Sequence, residues 1–419
     1  MLELWYKQKR TLVDFRRGPL GPFFDGFAAQ LQAKRYSPKA GMCLLGKCCL
    51  FNGFLIERGI TRVRKISSGL VDAFLQEYHA PALAVGSKQS ITKHAQWAIQ
   101  HFLNYLIEIK AFVPPKPKRV IKPYTWLLDS YLCQLQKERE RSPRTIDFHR
   151  KQLELFLESW GPNARRHRLK SLRAEAVEAF VRSHFRHATA HPESLASVLR
   201  EFFRYCARKK YTQLDFSGLV PSIRHYQYAS LPKGMEDAAL ERLLKVIPKD
   251  TPVGARDYAI IMLLMAYGIR GISAAQLLLD DLDWQHSKIR IRAQKGGKEV
   301  VLPLLESVGH ALIAYLRQRP KEMPFREVFL AVKAPYQPIR STVISRIVQD
   351  RLKQAGVKTP TSGARTLRYS WAIRALAHGS PIKTIADVLG HRYINTTFIY
   401  AKADLNSLRE VALPWPEKD

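Results

Sequence analysis

The stretch between Arg365 and Tyr400 holds the residues that are best suited to do chemistry together. Arg365 and Arg368 lie three residues apart, so on a helix both guanidinium groups can lie on one side and donate to one phosphate. His391 follows an apolar helical segment, and Tyr400 comes nine residues later. An ordinary tyrosine has a pKa near 10, so roughly one in a thousand is ionised at pH 7. A tyrosine nucleophile therefore needs clustered positive charge or a base, and this stretch supplies both.

Two further cations precede this stretch at positions where the chain turns. Arg270 comes directly after Gly268, which is expected to end a buried helix over 254–267. Lys295 lies in a glycine-rich turn, and Lys298 on the same turn could take its place. Taken singly, these residues also fit a plainer interpretation, a surface helix with arginines on its polar face and a packed tyrosine. Their joint spacing favours a shared site.

Mixed secondary structure is expected around these residues. Residues 288–293 alternate apolar and polar side chains and 299–303 form a second such run, so a β-hairpin with 294–298 at its tip is expected. The helical segments are expected at about 304–317, 341–355 and 366–378. The fold class is therefore mainly α with a small β-hairpin in the C-terminal domain.

The remaining chain divides into two helical modules and their connections. Residues 23–110 and 124–212 look like two copies of one small helical bundle, because Ser37-Pro38 matches Ser142-Pro143 at an offset of 105 residues. Phe51 and Phe156 lie at the same offset. The predicted parts are an N-terminal helical module at 1–113, a linker at 114–123, a second helical module at 124–220, a connector at 221–233, the C-terminal domain at 234–405 and a tail at 406–419.

The charge balance points to a polyanionic partner. The chain has 68 Lys and Arg against 36 Asp and Glu, a net charge of +32 and an isoelectric point near 10.1, and nucleic acid is the simplest such partner. A membrane surface is not expected, because there is no lipidation signal and no uninterrupted apolar run near 18 residues. The N-terminus lacks the apolar core of a signal peptide and the five cysteines show no CxxC pairing, so a cytoplasmic, nucleoid-associated protein is expected.

In order and spacing, these residues resemble those of the tyrosine recombinase (phage integrase) family. The matching segments are Arg256-Asp257-Tyr258-Ala259, Gly268-Ile269-Arg270, Asp281-Leu282-Asp283, Lys295-Gly296-Gly297-Lys298, Leu367-Arg368-Tyr369, Leu389-Gly390-His391 and Thr396-Thr397-x-x-Tyr400, which together cover about 235–405. The two helical modules also resemble the DNA-binding N-terminal domains of that family. The resemblance implies tandem helical SAM-like DNA-binding modules followed by an α+β tyrosine-recombinase catalytic domain.

The resemblance gives each matched residue a role. Arg270 and Arg368 would clamp the scissile phosphate, and Lys295 would protonate the departing 5′ oxygen as general acid. His391 would hydrogen-bond the phosphate, and Tyr400 would attack it to form a 3′-phosphotyrosine. Because that ester conserves the bond energy, neither ATP nor a metal nor another cofactor is expected. The sequence has no P-loop and no carboxylate cluster with metal-binding spacing.

Two positions depart from the family pattern. Arg365 stands where the family usually has histidine in His-x-x-Arg, and arginine keeps a cation there but cannot act as a base near pH 7. Ser273 stands three residues after Arg270, where the family often has an acidic residue. Both changes make the site more cationic and less basic, so slower or more context-dependent chemistry is expected.

The resemblance further implies a site-specific recombinase, integrase or transposase-like, that acts on double-stranded DNA. It would work as a homotetramer on two DNA sites through a Holliday junction, alone or with a partner recombinase, and its C-terminal tail would pack on a neighbouring subunit. Two alternatives stay open: a catalytically weakened DNA-binding protein of the same fold, and a type IB topoisomerase-like nicking and resealing enzyme. A third, a basic helical scaffold for RNA, lacks the aromatic-rich motifs of common RNA modules.

Overall fold

The computed structural model describes residues 1–82, 88–114, 122–161, 166–186, 192–222, 234–293, 298–359, 361 and 363–401. The architecture is mainly helical with a small antiparallel sheet, which confirms the predicted fold class. The chain divides into two units, one made of 1–115 together with 230–419 and the other of 116–229. Lys295, much of the predicted linker and connector, and the C-terminal tail lie outside the described residues.

The first module is a helical bundle with an aromatic core. Its helices are α1 (Lys9–Arg16), α2 (Phe24–Ala33), α3 (Pro38–Glu57), α4 (Ser68–Ala82) and α5 (Lys88–Glu108). Helix α3 begins where the sequence predicts, because the Ser37 hydroxyl accepts the Ala40 N–H at 3.4 Å and Pro38 takes the first helical position. Phe27, Phe51 and Phe102 come from three different helices and are fully buried together.

Among the described residues, helix α3 alone is long and apolar enough to cross a membrane by length and composition. Lys47 and Asn52 interrupt its apolar residues, so no continuous apolar run marks it in the sequence. Leu45, Cys48 and Phe51 on this helix are buried in the core of the first module. A core helix meets the same criteria of length and composition, and packing within the module accounts for its apolar character.

The second module, which forms the separate unit, has a similar sequence of helices. They are α6 (Thr125–Arg139), α7 (Pro143–Trp160), α8 (Ala174–Arg186) and α9 (Pro192–Arg208). Ser142 caps α7 by accepting the Thr145 N–H at 3.3 Å, as Ser37 caps α3. Phe156 packs edge-on against Phe203 of α9 in the core of this module.

The two modules repeat local backbone features at a nearly constant offset. Arg35 and Glu140, 105 residues apart, adopt the left-handed conformation just after α2 and α6, with φ of 57° and 44°. Lys110 and Lys210, 100 residues apart, do so just after α5 and α9, with φ of 58° and 56°. This conformation is unfavourable for residues with a side chain, so its recurrence at matching positions supports the predicted repeat. The predicted domain boundaries themselves stay a prediction.

The C-terminal domain combines short and long helices with the sheet. Its helices are α10 (Asp237–Lys245), α11 (Pro252–Tyr267), α12 (Gly271–Ala275), α13 (Glu306–Gln318), α14 (Ser341–Gln354), α15 (Ala364–Ala377), α16 (Ile382–Val388) and α17 (Phe398–Ala401). Its strands are β1 (Leu282–Asp283), β2 (Lys288–Ile291) and β3 (Val300–Pro303), paired antiparallel in the order β1-β2-β3. The hairpin β2–β3 confirms the alternation-based prediction, because Ile289 and Ile291 are buried while Lys288 and Arg290 are exposed. Strand β1 was not predicted.

Helix α11 lies in the core of this domain and ends at the turn that positions Arg270. The Tyr267 hydroxyl donates to the Pro303 carbonyl at 2.8 Å and accepts the Leu305 N–H at 3.0 Å, which ties the end of α11 to the sheet. Gly268 ends the helix in the left-handed conformation with φ of 59°, as predicted. A Cβ atom there would lie 2.9 Å from the Trp371 ring, so glycine permits the close approach of α15.

Candidate active site

Arg368 is a buried cation that donates hydrogen bonds to three acceptors. Helix α15 carries it into the domain interior, where it is 7% exposed. Its Nη1 donates to the Gly268 carbonyl at 2.9 Å, and its Nη2 donates to the Leu389 carbonyl at 3.0 Å and to His391 Nε2 at 2.6 Å. Burial lowers the pKa of Arg368 to about 10, so the group is still charged at neutral pH. Three acceptors make that buried charge tolerable.

His391 is neutral, and its two neighbours decide which ring nitrogen carries the proton. Burial, followed by the positive charges of Arg368 and Arg270, lowers the pKa of His391 to about 4. An arginine can only donate, so His391 Nε2 accepts from it and Nδ1 carries the proton. Nδ1 then donates to Thr397 Oγ1 at 2.6 Å, and Thr397 is fully buried. The ring is therefore held as one tautomer.

Tyr400 lies beside this pair on the short helix α17. Its N–H donates to the Thr397 carbonyl at 2.9 Å, and its ring lies parallel to that of His391 with centroids 6.5 Å apart. Tyr400 is 3% exposed. Burial raises the pKa of Tyr400, while the charges of Arg368 and Arg270 act in the opposite direction. Thr397 thus positions both neighbours. The polar turn 395–397 was expected to position Tyr400, whereas the hydrogen bond from His391 to Thr397 was not predicted.

Arg270 lies at the N-terminal cap of α12 and is partly exposed. Its charge lowers the pKa values of Arg368, His391 and Tyr400, which places it electrostatically in the same site. Arg270 also lines a small cavity. Leu389 lines the same cavity, and its carbonyl accepts a hydrogen bond from Arg368. The structure therefore brings together four of the six predicted residues that could do chemistry.

The other two predicted residues have different positions. Arg365 lies one turn before Arg368 on α15 but is exposed, and it makes no hydrogen bond or ion pair in the part of the chain that the structure describes. The two arginines therefore differ in exposure, and the role of Arg365 at a shared phosphate stays a prediction. Lys295 lies in 294–297, outside the described residues, whereas Lys298 is exposed and lines the cavity beside Arg270.

The described residues offer no metal site beside these cations. Within the described ranges, no group of three or more His, Cys, Asp or Glu side chains is arranged to hold a metal ion. The groups that converge are guanidinium, imidazole and phenol. Such a set can bind an anion, relay a proton and supply an oxygen nucleophile, which is the chemistry of transfer at a phosphate.

Two family models match the chain. Residues 233–406 match the model described as the phage integrase family, and residues 128–210 match the model described as the N-terminal SAM-like domain of phage integrases. The first match contains the whole site, and the second coincides with helices α6 to α9. The first helical module lies outside both matches.

Relatives and solved structures agree with these matches. The chain is 31% identical to the putative integrase/recombinase y4rF of Sinorhizobium fredii, over 99% of this chain and 96% of that protein. It is 28% identical to the tyrosine recombinase XerD of Listeria innocua, over 68% of this chain and 96% of that protein. A solved structure of the XerH site-specific recombinase bound to palindromic difH substrate has a TM-score of 0.55 at 20% identity, covering 76% of this chain and 95% of that chain. At that identity, the structural likeness concerns the fold alone.

Proposed function

The chain belongs to the phage integrase family of tyrosine recombinases, and on that premise we propose that it cuts and rejoins double-stranded DNA through a 3′-phosphotyrosine at Tyr400. As a member of this family, the protein is a site-specific DNA recombinase. The observation that carries the proposed chemistry is the convergence of Arg368, His391 and Tyr400 in one buried site, although 32 residues separate the first from the last.

In the proposed cleavage step, the non-bridging oxygens of the scissile phosphate accept hydrogen bonds from Arg368 and Arg270. Because Arg368 then has a better acceptor, His391 Nε2 becomes free to take the proton of the Tyr400 hydroxyl. The Tyr400 oxygen bonds to phosphorus while the bond from phosphorus to the 5′ oxygen breaks. The imidazolium that results donates Nε2–H to a phosphate oxygen, which is the role that the family resemblance gives to His391.

Both arginines act on the charge that develops on the phosphate oxygens. Arg368 is preorganised because its backbone acceptors hold the guanidinium in place before DNA arrives. Removing one such donor typically costs about 3 kcal/mol of transition-state stabilisation, or on the order of a hundredfold in rate. We expect losses of that size for Arg368→Ala and Arg270→Ala.

The departing 5′ oxygen needs a proton, and we place the proton donor at the tip of the hairpin β2–β3. Lys295 is the proposed general acid, in line with the matched segment Lys295-Gly296-Gly297-Lys298. Lys298, at the described end of the same turn, is the competing donor because it lines the cavity beside Arg270. The phosphotyrosine conserves the energy of the broken phosphodiester, so we propose no cofactor.

We propose that the second module grips the DNA backbone with an arginine row. Arg200, Arg204 and Arg208 recur at four-residue spacing on α9, and Arg141 lies with them around one groove. Residues four apart lie on the same face of a helix, so the three arginines of α9 form a basic strip, and two acidic residues also line the groove. Strips of this kind neutralise successive phosphates and release counterions.

The first module has a different surface at the matching positions. The offset of 100 residues between Lys110 and Lys210 aligns Gln100, Asn104 and Glu108 of α5 with the three arginines of α9. The Gln100 amide donates to the Asn104 side-chain oxygen at 3.0 Å, so these residues pair with each other. If the first module also binds DNA, as we propose, it contacts the duplex through other residues.

The proposed assembly is a homotetramer that acts on two DNA sites in the cytoplasm, with or without a partner recombinase. DNA as the partner is supported by solved structures of the same fold that are bound to DNA, namely the XerH recombinase on difH substrate and the lambda integrase on a core site. In this proposal, residues 1–113 and 124–220 form DNA-binding modules and residues 234–405 form the catalytic domain. Residues 406–419 pack on a neighbouring subunit.

Covalent trapping tests the proposed function. The protein is incubated with nicked duplexes that cover the ends of its native genetic neighbourhood, and the products are resolved on a denaturing gel beside Tyr400→Phe. We expect a protein–DNA adduct that disappears in Tyr400→Phe, while binding under native conditions is retained. Tight binding without any adduct would favour the catalytically weakened alternative, and relaxation of any supercoiled plasmid, whatever its sequence, would favour the topoisomerase-like one.

A further inference from the structure

A second group of cations lies against the wall of the active site. The cavity that Arg270 lines is also lined by Ser273, Arg292 and Lys298. Leu389 closes one side, and its carbonyl is the acceptor for Arg368. The cavity, which has a volume of about 10 Å³, and the buried arginine therefore lie on the two sides of Leu389.

Arg292 is held at this cavity by a buried carboxylate. Asp281 is 2% exposed, and its two oxygens each accept from Arg292 Nε at 3.0 Å. One of those oxygens also accepts the Leu278 N–H at 2.9 Å, which fixes the carboxylate on the loop before β1. Asp281 thereby orients a guanidinium group that stands at the end of β2.

The anchoring uses one edge of the guanidinium and leaves the other edge available. Only Nε donates to Asp281, and neither Nη group makes a hydrogen bond within the described part of the chain. The side chain is 45% exposed, so these donors are accessible. If Arg292 only stabilised the base of the hairpin, nothing would require this side chain to line a cavity that is shared with Arg270.

The cavity lining has the charge of an anion site. Its charged members among the described residues are Arg270, Arg292 and Lys298, and the other residues that line it are neutral. Ser273, which is buried, contributes a hydroxyl where a carboxylate would have neutralised part of this charge. A fixed guanidinium with two free Nη groups fits the oxygens of a phosphodiester.

We infer that Arg292 is an additional phosphate contact of this recombinase, oriented by Asp281. Its Nη groups donate to a backbone phosphate of the strand that Arg270 binds, either the scissile phosphate or a neighbour. The inference rests on the proposed function, since it takes DNA as the ligand of the site. It concerns a residue outside the set of six matched by the family resemblance.

The test combines Arg292→Gln with single methylphosphonate substitutions, which remove the charge of one phosphate at a time. Binding is measured in the Tyr400→Phe background on the duplex that the protein protects in a footprint, so the readout does not depend on cleavage. We expect Arg292→Gln to weaken binding about tenfold on unmodified DNA, as for a hydrogen bond between charged groups. One methylphosphonate position should abolish the difference between the two proteins, and its location distinguishes the scissile phosphate from a neighbour.

Arg290→Gln is the matched control, because Arg290 is exposed on the same strand but does not line the cavity. Asp281→Asn and Arg292→Lys should give intermediate losses of DNA affinity at the same phosphate, since each keeps part of the contact. Thermal melting checks that all variants fold. A loss in Arg292→Gln that no single methylphosphonate removes, or that equals the loss in Arg290→Gln, would overturn the inference. Failure of the proposed chemistry has a different signature, namely wild-type protein that binds and forms no Tyr400 adduct.

Discussion

Replacing Thr397 by valine removes one oxygen from the interior of the active site and leaves the shape of the side chain nearly unchanged. Thr397 is fully buried, and its Oγ1 accepts the Nδ1–H of His391 at 2.6 Å. Its carbonyl, which accepts the Tyr400 N–H at 2.9 Å, is present in either variant, so α17 keeps its anchor. The substitution therefore isolates the hydrogen bond that fixes the imidazole.

The expected cost follows from the two ways in which the ring could respond. If Nδ1 keeps its proton, a buried donor is left without an acceptor, which costs about 1–3 kcal/mol. If the proton moves to Nε2, that N–H faces the Arg368 Nη2 donor, which lies 2.6 Å away. Neither tautomer is satisfied, and only the first, with its unpaired buried donor, leaves Nε2 able to take the proton of Tyr400. If the whole penalty reaches the transition state, cleavage slows by about 5- to 150-fold.

The assay is the rate of adduct formation in a single turnover on a nicked duplex, with protein in excess. Thr397→Ser keeps Oγ1 and is the matched control, for which we expect a rate within about threefold of wild type because the hydrogen bond persists. DNA affinity should be unchanged in both variants, since Thr397 is buried. Wild-type rates for the valine variant, or a serine variant as slow as the valine variant, would refute this assignment of Thr397.

Three further predictions concern residues at the edge of the site and on the modules. Arg365→His should retain measurable adduct formation while Arg365→Ala loses most of it, and equal rates would show that this exposed position does no chemistry. Lys295→Ala should cleave unmodified DNA slowly. On a 5′-bridging phosphorothiolate, whose sulfur leaves without a proton, the variant should recover near wild-type rates. If Lys298→Ala shows this recovery instead, Lys298 is the general acid. Arg204→Ala should reduce the slope of log affinity against log salt by about 1, whereas Asn104→Ala, at the matching position of the first module, should leave the slope unchanged in filter-binding titrations.

Local patterns in the sequence were enough to predict several elements, including the helix that ends before Arg270 and the hairpin. Strict alternation over four residues produces β2, and Gly268 ends α11 in the conformation that glycine favours. Ser37-Pro38 and Ser142-Pro143 cap helices as expected, because a capping hydroxyl and a proline at the first position act within one turn. Strand β1 escaped prediction since two residues are too short to show a period.

The features that the sequence did not reveal depend on contacts between distant segments. Arg365 and Arg368 are of one type and one turn apart, yet only Arg368 meets Gly268, which is 100 residues away in the chain. The hydrogen bond from Arg292 to Asp281 likewise joins the residue after β2 to the residue before β1. Spacing along a helix limits which residues can share a face, but the packing of that helix against other elements decides which residue is buried.

The electrostatics of the free protein explain how a tyrosine nucleophile can be kept inactive until DNA arrives. Burial raises the pKa of Tyr400 and lowers that of His391, so at neutral pH the site holds a neutral phenol beside a neutral imidazole. The acceptor nitrogen of His391 is occupied by Arg368, which also donates to two backbone carbonyls. A phosphate oxygen carries the negative charge that these neutral acceptors lack, so it competes for Arg368 and releases the imidazole. In the proposed mechanism, the substrate thus frees the base and supplies the electrophile in one binding event, which couples the reactivity of Tyr400 to a correctly placed phosphodiester.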